Sequence, residues 1–167
     1  TAHGTEDEAE EETLKMLDVY ADMATNDAAI PVIKGEKSRI ERFAGALRTY
    51  TIEAMMKDKK ALQSGTSHNL GQNFAKAFDI KYLDEANELK FCWTTSCGLS
   101  TRMVGAVVMT HGDDKGLRLP PKLAPYQVVI VPIYRKDEEK SPVMETVNRL
   151  ANHLMDAGVR VHIDKRE

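Results

Sequence analysis

The stretch RFAGALRTYTIEAMMKDKKALQSGTSH, Arg42 to His68, decides how this chain folds. Leu47, Thr49, Thr51 and Glu53 fall on one face and Tyr50, Ile52 and Ala54 on the other, the period of two of a β-strand. Lys57-Asp-Lys-Lys60 makes a hairpin turn, and Ala61 to His68 returns as a second strand. Two strands joined this closely must run antiparallel. The polar row along the first of them predicts a sheet face turned to water or to a ligand.

Working outward, Thr5-Glu-Asp-Glu8 is a capping-box pattern, and acids crowd the first turn where the helix dipole favours them. Leu14, Leu17, Tyr20 and Met23 recur at helical spacing, so an amphipathic helix is expected from about Thr5 to Asn26, packed on the sheet. Ile30-Pro-Val-Ile33 reads as an edge strand, and Lys34 to Arg39 as a charged turn. Leu70 to Phe78 reads as a helix. Ile80 to Leu83 and Leu89 to Thr94 read as a hairpin around Asp84-Glu-Ala-Asn-Glu88. A further helix is expected over Ser100 to His111, capped by Ser100 or Thr101 and stopped by Gly112 to Gly116 and Pro120-Pro121.

The pattern then changes. Tyr126 to Ile133 is a β-branched run, Ser141 to Ala157 is helical with Gly158 as its stop, and Val159 to Ile163 is another strand. This β-α-β unit predicts a parallel pair, too small to enclose a core by itself. The expected fold is therefore α+β, an antiparallel sheet with flanking helices over 1–123. The first unit of an incomplete α/β domain follows over 124–167.

Composition narrows the function. No apolar run approaches the roughly 20 residues that span a bilayer, and no leader pattern precedes the first helix. A start at Thr1 rather than Met suggests a piece of a longer chain. Cys92 and Cys97 form neither a disulfide framework nor a zinc spacing, which points to the reducing cytoplasm. The six acids between Glu6 and Glu12 hide a mildly basic remainder, far from the stripe of a dedicated nucleic-acid binder.

Chemistry concentrates between Gln63 and Pro121. Arg102 falls in the first turn of its helix, where amide N–H groups already attract anions and a guanidinium can fork onto phosphate. An ion pair with a nearby carboxylate fits it equally. Thr66 and His68 share a strand face, and Gln63 joins them only if Ser64-Gly65 holds a bulge. Gly65 also permits close approach of a ligand. Taken alone, His68 fits a satisfied core histidine better than a ligand contact. His111 with Asp113-Asp114 fits a cap and a surface turn better than a metal site. Cys97 has no neighbouring histidine and reads as a small buried residue. With no nucleophile-base pair, the expected chemistry is electrostatic positioning of a phosphate-bearing substrate.

Together these motifs resemble prolyl-tRNA synthetase of the archaeal and eukaryote-like type. The resemblance runs from Thr1-Ala-His3 and the acidic helix, through Lys34-Gly35, Phe43-Ala-Gly-Ala46 and Thr51-Ile-Glu53, to Gly65-Thr-Ser-His68 with Leu70-Gly-Gln-Asn-Phe74. It continues over Ser96 to Arg102 and His111-Gly-Asp-Asp114 to Val128-Val-Ile-Val-Pro132, nearly the whole chain. It implies the C-terminal part of a class II catalytic domain, then the start of an anticodon-binding domain. It also implies ATP- and Mg²⁺-dependent activation of proline and its transfer to tRNA(Pro), by a cytoplasmic homodimer away from any membrane.

On this resemblance Ser100-Thr-Arg102 is the third class II motif. Gln63, Thr66, Ser100 and Arg102 would bind ATP, with Gln63 also near its Mg²⁺. Phe43 and His68 would wall the proline pocket over a floor of Ser96 and Gly98. Cys97 stands where the family usually carries an aromatic, which predicts a looser pocket wall. The first two class II motifs lie outside the chain, so these 167 residues alone are expected to be inert. A non-catalytic relative kept as an RNA- or protein-binding module is the alternative.

Overall fold

The computed structural model describes residues 1–166, which form two compact units, Thr1–Arg118 and the residues from Leu119 onward. The first unit contains, in chain order, β1 (Ala2–His3), α1 (Glu6–Asp22), β2 (Ile33–Glu36), β3 (Arg48–Met55) and β4 (Ala61–Gly71). It continues with α2 (Asn73–Ala77), β5 (Lys81–Leu83), β6 (Leu89–Phe91), β7 (Trp93–Leu99), α3 (Arg102–His111) and the two-residue strands β8 (Gly112–Asp113) and β9 (Gly116–Leu117). Five strands pair antiparallel in the order β1-β7-β4-β3-β2, with α1 and α3 against the sheet. This is the α+β architecture expected.

The capping box forms as its spacing predicts. Glu8 N–H donates to Thr5 Oγ1 at 3.1 Å, and Thr5 N–H donates to Glu8 Oε2 at 3.1 Å. The last turn, Met23–Asp27, widens to π geometry and delivers Ala28 and Ile30 into the core. There Leu17, Ala24, Ile52, Ala54, Met103 and Val107 pack together, Ile52 with no exposed surface at all. Burying one such side chain contributes about 1.5–3 kcal/mol.

Several boundaries differ from the expected ones, each for a local reason. Pro31 has no N–H to give to a ladder, so β2 starts only at Ile33. Lys34–Glu36, expected in a turn, are instead the edge strand, where charged side chains are tolerated. β4 runs past His68 to Gly71, because Asn69 still pairs with Arg48 and Thr95; Gly71, at φ 58°, ends it. The helix expected from Leu70 shrinks to α2. Cys92 interrupts the strand expected over Leu89–Thr94, and its N–H turns to Ile80 O. Beyond it, β7 enters the main sheet beside β4.

In the second unit, β10 (Val128–Ile130) and β11 (Val161–Ile163) pair in parallel, joined by α4 (Asp137–Asp156) with Val147 and Ala151 buried. The strand is shorter than the β-branched run, since Pro132 cannot extend a ladder. The helix begins earlier than Ser141, because Glu139 Oε2 accepts from Arg135 N–H at 2.9 Å and fixes the first turn. Gly158, at φ 79°, stops it. Among the described residues no helix is long and apolar enough to cross a membrane.

Candidate functional site

The register of three adjacent strands builds the site. Thr49 of β3 pairs with His68 of β4, which pairs with Ser96 of β7. Thr51 pairs with Thr66, and Thr66 with Gly98. The next β3–β4 pairing is Glu53 with Gln63, so Ser64 is the extra residue of a bulge. That bulge turns Gln63 onto the face of Thr66 and His68, as the sequence required for the three to act together. The face is away from α1, whose residues Thr13 and Glu10 bind Ser67 and Asn69 on the other side.

Two clusters lie along this open face. Gln63, Ser64, Thr66, Gly98, Ser100 and Arg102 line one cavity of about 250 Å³. Arg102 Nη1 donates to Gln63 O at 3.3 Å, and Arg102 N–H donates to Ser100 Oγ at 3.3 Å. The guanidinium makes no ion pair among the described residues and stands exposed at the cavity mouth. A side chain added at Gly98 would meet nothing within 4 Å, so that floor is open.

The second cluster is aromatic. The Phe43 and His68 rings lie 4.9 Å apart at 42°, with Phe74 behind Phe43 at 6.5 Å. Phe43 N–H donates to Thr49 Oγ1 at 3.3 Å, and Thr49 Oγ1 lies 3.0 Å from His68 Nδ1. Burial, and secondly the charge of Lys37, push the His68 pKa below its usual value, so the ring is neutral at pH 7. A neutral ring against Phe43 suits an apolar ligand.

All eight residues singled out for substrate binding are thus on one sheet face. Gln63, Thr66, Gly98, Ser100 and Arg102 share the first cavity, and Phe43, His68 and Ser96 lie at the second cluster. One expectation needs correction. Cys97 pairs with Ser67 and faces α1, its Sγ 3.3 Å from Ser67 Oγ, so it cannot loosen the pocket wall. A Cβ on Gly65 would meet Leu99, Ile52 and Tyr20 at 3.2–3.3 Å, so this glycine admits close packing on the α1 side, and it also lines the first cavity. His111 Nε2 bonds to Ala28 O at 2.8 Å while Asp113 accepts from Lys115 N–H, the helix end and surface turn that the sequence suggested. Among the described residues no group of three or more His, Cys, Asp or Glu could hold a metal ion.

Sequence reasoning missed two residues on this face, Glu53 opposite Gln63 and Lys37 beside Thr49. The alternation that put Thr49 and Thr51 together already included Glu53.

Comparison with known proteins gives the same site a context. Residues 2–111 match the model of the tRNA synthetase class II core domain (G, H, P, S and T). The chain is 64% identical over 168 residues to the proline--tRNA ligase of Chloroflexus aggregans, covering 100% of this chain and 35% of that protein. It is 59% identical to the one from Roseiflexus sp. (strain RS-1), again 100% and 35%, and 58% identical to the one from Bacteroides fragilis, 100% and 34%. The chain therefore spans about a third of the length of the curated relatives it matches.

Proposed function

Since the chain belongs to the tRNA synthetase class II core-domain family, we propose that it is the part of a proline--tRNA ligase that binds ATP and proline. The reaction joins the proline carboxylate oxygen to the α-phosphorus of ATP, with pyrophosphate leaving. Prolyl transfer to the 3′ end of tRNA(Pro) follows, with release of AMP. Neither step needs a nucleophile from the protein. The work is alignment and charge stabilisation, which suits a face of fixed donors without a Ser-His or Cys-His pair.

Arg102 would stack on the adenine and reach the γ-phosphate, while Gln63, Thr66 and Ser100 hold the phosphates at the cavity they line. Phe43 and His68 would wall the pyrrolidine ring over Ser96 and Gly98. Mg²⁺ takes one or two carboxylates plus substrate phosphates, a donor set that Glu53 fits, with Gln63 its cross-strand neighbour. When bound, that ion would neutralise charge on the departing pyrophosphate. The second unit would begin the anticodon-binding domain, and the full-length protein would act as a cytoplasmic homodimer.

The observation that carries this reading is the shared cavity of Gln63, Thr66, Ser100 and Arg102, one sheet row from the Phe43–His68 pair. Nothing in the geometry favours a non-catalytic binding module. The test is proline-dependent ATP–pyrophosphate exchange by the full-length protein that carries this chain. Arg102→Ala should lower kcat/KM for ATP about 10²–10³-fold, the loss seen when one preorganised donor is removed, with an unmoved melting temperature. Exchange driven by another amino acid, or an unchanged rate in the variant, would overturn the reading.

A further inference from the structure

We propose that Lys37 is a substrate-positioning residue of this face, its ammonium taking the carboxylate of the amino acid held against Phe43 and His68. The inference rests on the proline-activating reading above. Lys37 N–H donates to Thr49 O at 2.8 Å, one residue beyond the β2–β3 pair Glu36–Tyr50. In that register Gly35 opposes Thr51, so Lys37 falls on the site face, in the row Thr49, His68, Ser96. Lys34 falls on the opposite face.

The neighbouring cations are engaged. Lys34 pairs with Asp18 at 2.6 Å, Arg42 with Glu36 at 3.7 Å and Arg48 with Glu10 at 2.9 Å. Lys37 has no carboxylate partner among the described residues, although Glu36, Glu41 and Glu53 line the same cavity of about 320 Å³ beside the site. It is half-buried, and its charge is close enough to act on the His68 ring. A cation held on a partly covered face without a counter-ion draws an anion to it. Arg102 stands at the far end of the same face, so two cations bracket the space in which a carboxylate must approach a phosphate.

The test compares two ligands in the full-length protein. Proline and prolinol share the ring and amine, but prolinol carries a neutral CH₂OH in place of the carboxylate. Lys37→Met should weaken proline about tenfold, as expected for a lost charge-assisted contact, and leave prolinol within about twofold. Lys37→Arg should recover most of the loss, and KM for ATP should stay put. The His68 ring, followed by NMR, should titrate higher in Lys37→Met. Equal weakening of both ligands means a packing role, and a rise confined to KM for tRNA means a contact with RNA phosphate. Either result, or unchanged proline binding beside an active wild type, overturns the assignment. A wild-type protein that binds no proline overturns the proposed function itself.

Discussion

Thr66 and Ser67 are adjacent in β4, chemically near-equivalent, and they meet opposite fates. Ser67 has no exposed surface, and its hydroxyl donates to Thr13 O of α1 at 2.7 Å. Thr66 faces the other way, into the cavity of Gln63 and Arg102. The contrast repeats along the strand, with Asn69 bound by Glu10 and His68 ringed with Phe43. Along β4, Ser67 and Asn69 on one face are answered by α1, while Thr66 and His68 on the other line the candidate site. What separates them is the two-residue period of the strand, not their chemistry.

Glu10 is where the α1 face is tied most firmly, so its loss should be the largest of the effects compared here. Its carboxylate accepts from Arg48 at 2.9 Å, Asn69 at 2.7 Å and the Tyr50 hydroxyl. Burial pushes its pKa up, but hydrogen bonds from Tyr50, Asn69 and Arg48 outweigh that and hold it below its usual 4.5. A carboxylate with a lower pKa folded than unfolded stabilises above its ordinary value and ceases to as the pH falls through the folded one. Glu10→Ala should cost about 2 kcal/mol at pH 7, as for hydrogen bonds to a charged group. The gap in melting temperature should close as the pH drops below 4.5. A gap independent of pH would mean that Glu10 acts by packing alone.

Substituting the neighbours directly tests the division. Ser67→Ala should cost about 1 kcal/mol of stability, the net worth of one buried hydrogen bond, with KM values untouched. Thr66→Ala should leave the melting temperature alone and lower ATP–pyrophosphate exchange about tenfold, a loss of roughly 1.4 kcal/mol in transition-state binding. Thermal melting and exchange kinetics on the two variants separate the outcomes. A kinetic loss in Ser67→Ala without a stability loss would break the comparison.

How far the sequence carries this picture depends on which signals are local. The capping box at Thr5–Glu8, the alternation of Leu47 to Glu53 and the bulge near Gly65 involve neighbours in the chain, and all form as their spacing implies. Seven of the eight candidate residues lie in the dense run between Gln63 and Pro121, and the resemblance supplied Phe43 and the expected roles. β7 was harder to see. Thr95-Ser-Cys-Gly98 has little apolar content, and it becomes a strand only because β4 and β1 flank it. Lys37 was hidden for the same reason: a charged run reads as a turn until its N–H finds Thr49 O across the sheet. Gly65 was read only for the bulge and for a ligand, since only the packed helix shows what its missing Cβ would strike.

Cys97 is the most economical probe of that last distinction. The resemblance seen in the sequence put it at a pocket wall, and by register it stands opposite Ser67, under α1. A side chain under the helix touches no substrate, so Cys97→Ala should leave KM for proline and for ATP within about twofold, as for any residue outside the site. Removing one small, half-buried sulfur should cost less than about 1 kcal/mol, and most of that should vanish in a Ser67→Ala background, since the two contact each other. A severalfold change in proline KM at unchanged stability would place Cys97 on the ligand side. The β4–β7 register would then be off by one residue, and with it the assignment of every side chain on β7 to its face.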